Sequence, residues 1–111
     1  MTRRLPERDL EKTIASQVEE LLTRFQWKWM HIIPAATGRG YFVSRTNPDG
    51  YGWPDYFCIR GERVIVIEVK SKVGQLSENQ KGWLAAFRCA GIECYLWRPQ
   101  DSIESITAVL R

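Results

Sequence analysis

Two hydrophobic periods alternate along the chain. Leu10, Ile14, Val18, Leu21 and Phe25 recur at steps of three and four, which predicts an amphipathic helix over 8–25. Trp27 to Ile33 is aromatic and β-branched, a strand pattern closed by Pro34. From Pro34 to Pro54 the periodicity stops. Gly, Thr, Asn, Pro and Arg dominate there, broken only by Tyr41-Phe42-Val43. Long stretches of this kind in compact domains are usually functional, so residues 34–54 are expected to form a mobile, substrate-facing loop with a short strand in it.

Residues 55–60 and 64–70 read as two strands joined through Arg60-Gly61-Glu62-Arg63, where Gly61 suits the first central position of a type II′ turn. Val64 to Val69 is apolar on both faces except at Glu68, the mark of an interior strand covered on both sides. Ser77 followed by Gln80 has the form of a capping box, opening a helix that runs to about Ala90 and stops at Gly91. Residues 92–97 form another strand, ended by Pro99. Asp101 or Ser102 then caps a last helix to Leu110, with Ile103, Ile106, Val109 and Leu110 as its apolar face. The order implies an α/β domain, a mixed sheet with helices packed on it.

Composition adds limits. With 111 residues, 44% hydrophobic and 26% charged, the chain suits one globular domain, residues 1–111. No apolar run has the length of a membrane span or signal peptide, so no membrane partner is expected. Cys58, Cys89 and Cys94 have no close pairing, read as small core residues, and point to a reducing, cytoplasmic location. The net charge of +3 is compatible with a polyanionic partner. Arg39, Arg45, Lys72 and Lys81 flank the region of chemical interest, each equally suited to a solvated surface or to a phosphate.

That region is Gly52-Trp53-Pro54-Asp55 with Glu68-Val69-Lys70. If Arg60 and Arg63 flank a two-residue turn, counting back along the ladder puts Asp55 opposite Glu68. Their Cβ atoms are then about 5 Å apart on one face. Lys70 shares that face, because side-chain direction alternates along a strand. Facing carboxylates repel, and a hard divalent cation reverses the sign of that interaction. Such a cation polarises a phosphodiester and makes hydroxide available near neutral pH, while Lys70 orients the water or stabilises the charge that develops. Each half of the motif has a bland reading by itself, a Pro-Asp turn or an ion pair on an edge strand; the matched register of both favours catalysis.

Other polar residues are candidates. Gln80 either reaches the site from its helix or only closes the capping box. Glu11 borders the first helix's apolar stripe, as a third carboxylate or as a favourable first-turn acid. Glu7, Glu19 and Glu20 lie farther round or along that helix. His31 has no accompanying nucleophile motif and reads as a strand residue or a phosphate contact. Of five tryptophans, Trp53 is the one placed to stack on an unpaired base.

With these residues the chain resembles the PD-(D/E)xK nuclease superfamily, specifically a stand-alone VRR-NUC domain. The resemblance rests on Gly52-x-Pro54-Asp55, Glu68-Val69-Lys70-Ser71, Gly74-Gln75-Leu76-Ser77, Gln80 with Trp83-Leu84, Ala90-Gly91 and Tyr95-Leu96-Trp97-Arg98-Pro99. It implies a restriction-endonuclease-like core with a mixed four-stranded sheet flanked by helices. It also implies catalytic Asp55, Glu68, Lys70 and Gln80, and a Mg2+ (or Mn2+) ion held by Asp55, Glu68, the Val69 backbone carbonyl and Glu11. DNA contacts are expected from Arg39, Arg45, Trp53, Lys72 and Lys81. Small viral and bacterial relatives resemble Holliday-junction resolvases and act as homodimers, which makes a junction-resolving homodimer a better analogue than a flap-cutting relative, and a virus-encoded origin is compatible with it. The alternatives are a nicking or restriction-type endonuclease on ordinary duplex, and a DNA-binding module without turnover.

Overall fold

The computed structural model describes residues 7–31, 35–36, 42–43 and 50–111, with the side chains of 7–12, 35–36 and 42–43 outside that description. Helix α1 (Glu7–Arg24) leads into β1 (Lys28–His31). Two short strands, β2 (Ala35–Ala36) and β3 (Phe42–Val43), form a separate antiparallel ribbon. Then come β4 (Tyr56–Arg60), β5 (Arg63–Val69), α2 (Glu78–Cys89), β6 (Glu93–Trp97) and α3 (Ile103–Leu110). The main sheet has the order β1-β4-β5-β6. Its β5–β6 pair is parallel and the other two pairs are antiparallel, giving the mixed four-stranded sheet expected.

The hairpin carries the expected register. Arg60 pairs with Arg63 and Tyr56 with Ile67. Gly61 has φ +62° while Glu62 is not among the positive-φ residues, which is the type II′ pattern. Strand β5 lies between β4 and β6, as a run of apolar residues buried on both faces requires.

One face of the sheet carries the main core. Ile14, Val18, Leu21 and Leu22 from α1 and Ile106 and Leu110 from α3 pack on Tyr56, Cys58, Ile65, Ile67, Val69 and Trp97. Helix α2 covers the other face near β6 and buries only Leu84 completely. Burial pushes the Cys58 thiol up to about 12, an inert core group. Cys89 corrects the expectation of a third core cysteine. It is the last residue of α2, on the turn before Gly91, and is exposed. Ile103 is also exposed: it is the first residue of α3 and precedes by a turn the first residue that helix buries.

The hairpin end of the sheet is fastened to the chain's last helix by guanidinium groups. Arg60 donates to the Phe25 and Leu110 carbonyls at 3.1 and 2.9 Å, and Arg63 donates to the Val109 carbonyl at 2.8 Å. These cations satisfy carbonyls at the α3 C-terminus and complement its dipole. Arg60 also lies 4.4 Å over the Trp27 ring, whose indole N–H donates to Leu110 at 2.8 Å. Arg63 makes a two-pronged pair with Glu93, both contacts at 2.8 Å. Among the described residues no helix is long and apolar enough to cross a membrane.

The Arg63 hydrogen bonds hold the Glu93 carboxyl down at about 2, below the ordinary 4.5. The depressed pKa means this pair stabilises the fold above pH 4.5, an effect lost as pH falls towards 2. Glu93→Gln is expected to flatten the stability curve across that acid window, read by urea denaturation at stepped pH. An unchanged slope would contradict the pairing.

Candidate active site

The site forms where β4 begins and β5 ends. Asp55 stands one residue before β4, and its Oδ2 accepts from the Val69 N–H at 2.8 Å. The register explains why that N–H is available. Lys70 N–H donates to the Trp97 carbonyl at 3.0 Å, so Lys70 bonds toward β6 and Val69, one residue earlier, points its N–H and C=O toward β4. Continuing the ladder past Tyr56↔Ile67 brings Pro54 opposite Val69. Proline has no N–H and cannot donate to the Val69 carbonyl. The Pro-Asp pair thus ends the ladder, leaves a carbonyl oxygen at the site and substitutes a carboxylate for the missing strand partner.

Gly52 sets the height of this loop. Its φ is +83°, and a Cβ there would stand 2.5 Å from the Asn79 carbonyl carbon and 2.6 Å from the Gln80 nitrogen. Only glycine allows the loop to rest directly on the first turn of α2. The same contact brings Gln80 to the carboxylates.

Glu68 is the centre of the arrangement. It is 2% exposed, the only buried charged residue among those described. Its Oε1 accepts from Gln80 Nε2 at 3.3 Å, and its Oε2 is buried with no hydrogen-bond partner. Burial, then the adjacent Asp55 carboxylate, push the Glu68 carboxyl up to about 9, against the opposing pull of Lys70. At neutral pH, without a cation, the proton stays on Glu68.

Gln80 performs both roles that its position allowed. Its Oε1 accepts from the Ser77 N–H at 2.9 Å, and the Ser77 Oγ accepts from the Gln80 N–H at 3.1 Å, closing the capping box. Its Nε2 remains to hold Glu68. The two alternatives used different ends of one amide.

The other expected site residues divide. Lys70 follows Glu68 on the same strand face and acts on it electrostatically. Glu11 lies in the first half of α1; its side chain is outside the described residues. The direction of α1 is informative: Phe25 meets Arg60 at the hairpin end, whereas Glu19 meets Tyr56 beside Asp55. The helix therefore continues from Glu19 back to Glu11 toward the Asp55 end of the sheet. Arg39 and Arg45 lie outside the described residues, as does most of the 34–54 loop. Lys72 and Lys81 are exposed, and Lys81 is 3.3 Å from Glu78, a surface pair of small energetic weight. Trp53 stands in the loop beside Asp55 with its ring packed inward. Half-buried, it lies 4.9 Å from Trp83, 5.4 Å from Phe87 and 5.9 Å from Phe57, packing the loop against α2 and the sheet.

Two contacts had no signal in the sequence. The Tyr56 hydroxyl donates to Glu19 at 2.5 Å, locking α1 to β4 next to Asp55. Arg98 donates to the carbonyls of Ser71 and Gly74, bracing the turn after Lys70. An arginine after a strand and a glutamate on a helix both read as surface charge until the elements are packed.

A divalent cation fits this chemistry. The unpaired Glu68 oxygen is buried, Asp55 faces it, and the Val69 carbonyl lacks its ladder donor. All three are hard oxygen donors. Among the described residues no group of three or more His, Cys, Asp or Glu side chains comes together, so the protein carboxylates in view number the pair Asp55 and Glu68.

The helix–strand–hairpin–helix–strand–helix order of the main sheet and its helices, around a facing carboxylate pair and a lysine, is a restriction-endonuclease-like core. A family model described as the VRR-NUC domain matches residues 42–100, more than half of the 111-residue chain. The chain belongs to the VRR-NUC family and is a nuclease domain with DNA as its substrate. Asp55, Glu68, Lys70 and Gln80 fall within the matched stretch, and Glu11 precedes it. Comparison with curated proteins and with solved structures gives no match.

Two outcomes test this geometry. Between pH 4.5 and about 9 the unfolded chain has released the Glu68 proton and the folded chain keeps it, so stability falls as pH rises through that window. Glu68→Gln removes this loss. In metal-free buffer its melting temperature should exceed the native value clearly near pH 8 and by much less near pH 5; equal shifts at both would contradict the assignment. Gly52→Ala meets both a disfavoured φ and the backbone of α2, and should cost more than about 1 kcal/mol in urea denaturation. A neutral Gly52→Ala would remove the close approach from the argument.

Proposed function

We propose that the chain is a divalent-cation-dependent endonuclease that hydrolyses phosphodiesters in branched DNA, four-way junctions above all, and works as an intracellular homodimer. The observation that carries the reading is the buried, unpaired oxygen of Glu68 beside Asp55. A scaffold selected for stability alone would not leave one carboxyl oxygen unpaired in its central strand, since an unsatisfied buried polar group costs about 1–3 kcal/mol.

Asp55, Glu68 and the Val69 carbonyl, with Glu11 as the fourth donor, would hold magnesium or manganese, which supplies a Lewis acid for the phosphodiester and lowers the pKa of water. The Val69 N–H fixes Asp55 through Oδ2, and Gln80 fixes Glu68 through Oε1. Lys70 brings a cation on the same strand face, where it orients the attacking water and offsets charge on the transition state. Water adds to phosphorus, one P–O ester bond breaks, and a phosphate monoester and a hydroxyl end are formed. Support for a dimer on branched DNA comes from the family resemblance and from stoichiometry: resolving a four-way junction takes two nicks, and one domain carries one carboxylate pair.

The test is cleavage of strand-labelled four-way junctions, flaps, nicked duplexes and linear duplexes with magnesium. The native protein should cut the junction at paired positions. Asp55→Ala and Lys70→Ala should each lose about a hundredfold or more with the fold retained by circular dichroism. No cutting of any substrate by the native protein would sink the enzymatic reading. Site-specific cutting of linear duplex would favour a restriction-type enzyme.

A further inference from the structure

The turn that follows Lys70 carries an exposed aliphatic side chain on a braced backbone. Val73 is 70% exposed, the highest value among the exposed large hydrophobic residues described. The backbone on either side of it is braced by side chains. Arg98 Nη1 donates to the Ser71 and Gly74 carbonyls at 2.8 and 2.6 Å, Gln100 Nε2 donates to the Lys72 carbonyl at 3.1 Å, and the Gly74 N–H donates to Ser71 Oγ at 2.9 Å. Gly74 is packed tightly as well, since a Cβ there would lie 2.8 Å from Ser71 Oγ and 3.8 Å from Lys70 Cδ. Fixing a backbone costs conformational entropy, and exposing an aliphatic tip returns nothing to the fold. The arrangement is explained if the tip has a partner.

Position and chemistry identify that partner. Val73 is three peptide steps from Lys70, at most about 11 Å between Cα atoms, so the tip falls within the footprint of a nucleic acid whose scissile phosphate lies at the site. Lys72, next to it and exposed, matches a phosphate backbone in charge. A continuous duplex offers an aliphatic group little to bury against, because its base-pair faces are stacked on one another. A branch point uncovers such a face, and apolar wedges placed against opened base steps are a known way for proteins to hold distorted DNA.

Resting on the branched-DNA reading above, we infer that Val73 is a specificity-determining contact, packing on the base-pair face exposed at a DNA branch while Lys72 engages the adjacent phosphate. The Arg98–Gln100 brace holds the tip in register with the carboxylates.

The experiment measures dissociation constants by fluorescence anisotropy for a four-way junction and for linear duplex of the same sequence, with magnesium, in a Lys70→Ala background that leaves the DNA intact. Adding Val73→Ser should lower the ratio of junction to duplex affinity about tenfold, the effect of losing one buried aliphatic contact. Val73→Ile, which keeps the aliphatic tip, should hold the ratio. Ile59→Ser removes an exposed aliphatic group four strand positions beyond Asp55 and should leave both constants unchanged. An unaltered ratio in Val73→Ser, an equal loss on both DNAs, or a Val73→Ile that behaves like Val73→Ser would each overturn the inference. Absence of any junction preference before Val73 is changed would overturn the branched-DNA reading first, and this one with it.

Discussion

A carboxyl group buried in the central strand of a sheet must be neutral, paired or liganded, and Glu68 meets that constraint in a way that organises the domain around it. Its strand is covered on both faces, so no water reaches the unpaired oxygen. The proton stays on at neutral pH because burial and Asp55 both disfavour the charge. The surrounding groups are arranged for an anion at this position. Gln80 donates to it, Lys70 attracts it, and Asp55 is held in place by a backbone N–H rather than by a competing cation. A proton satisfies such a site only partly, whereas a hard divalent cation satisfies it with both carboxylates charged.

The fold keeps rigidity and chemistry at opposite ends of the same sheet. At the hairpin end Arg60, Arg63, Trp27 and Glu93 tie β4, β5, β6 and the α3 C-terminus together. At the other end the β4–β5 ladder stops at Tyr56↔Ile67, and Pro54 has no N–H to offer the Val69 carbonyl. Helix α1 spans the two, fixed by Phe25 at one end and by the Glu19–Tyr56 bond near the other. A short domain can in this way carry a site of facing carboxylates without losing its core.

How far the sequence could reveal this differs by residue. The facing of Asp55 and Glu68 was readable because Gly61 fixes the turn, the turn fixes the register, and register fixes side-chain direction. The capping box at Ser77 and Gln80 was readable for a similar reason, being a local motif with its own geometry. The packing of Trp53 was not legible because its neighbours Trp83 and Phe87 come from a helix well beyond it in the chain. The contacts of Arg98 and Glu19 carried no local signal, since their partners are set only by packing. Gln80 lay between these cases: the sequence offered two uses for one side chain, and only the structure shows that its oxygen and nitrogen serve them separately.

The central claim is that the Asp55–Glu68 pair is a cation site. Manganese binding to the native protein, counted by electron paramagnetic resonance, tests it most directly. The expected result is saturable binding by the native chain that is abolished in Glu68→Gln while the thermal transition of that variant persists. A native protein that takes up no manganese with DNA present, or a Glu68→Gln variant that binds it as tightly as the native chain, would contradict the claim.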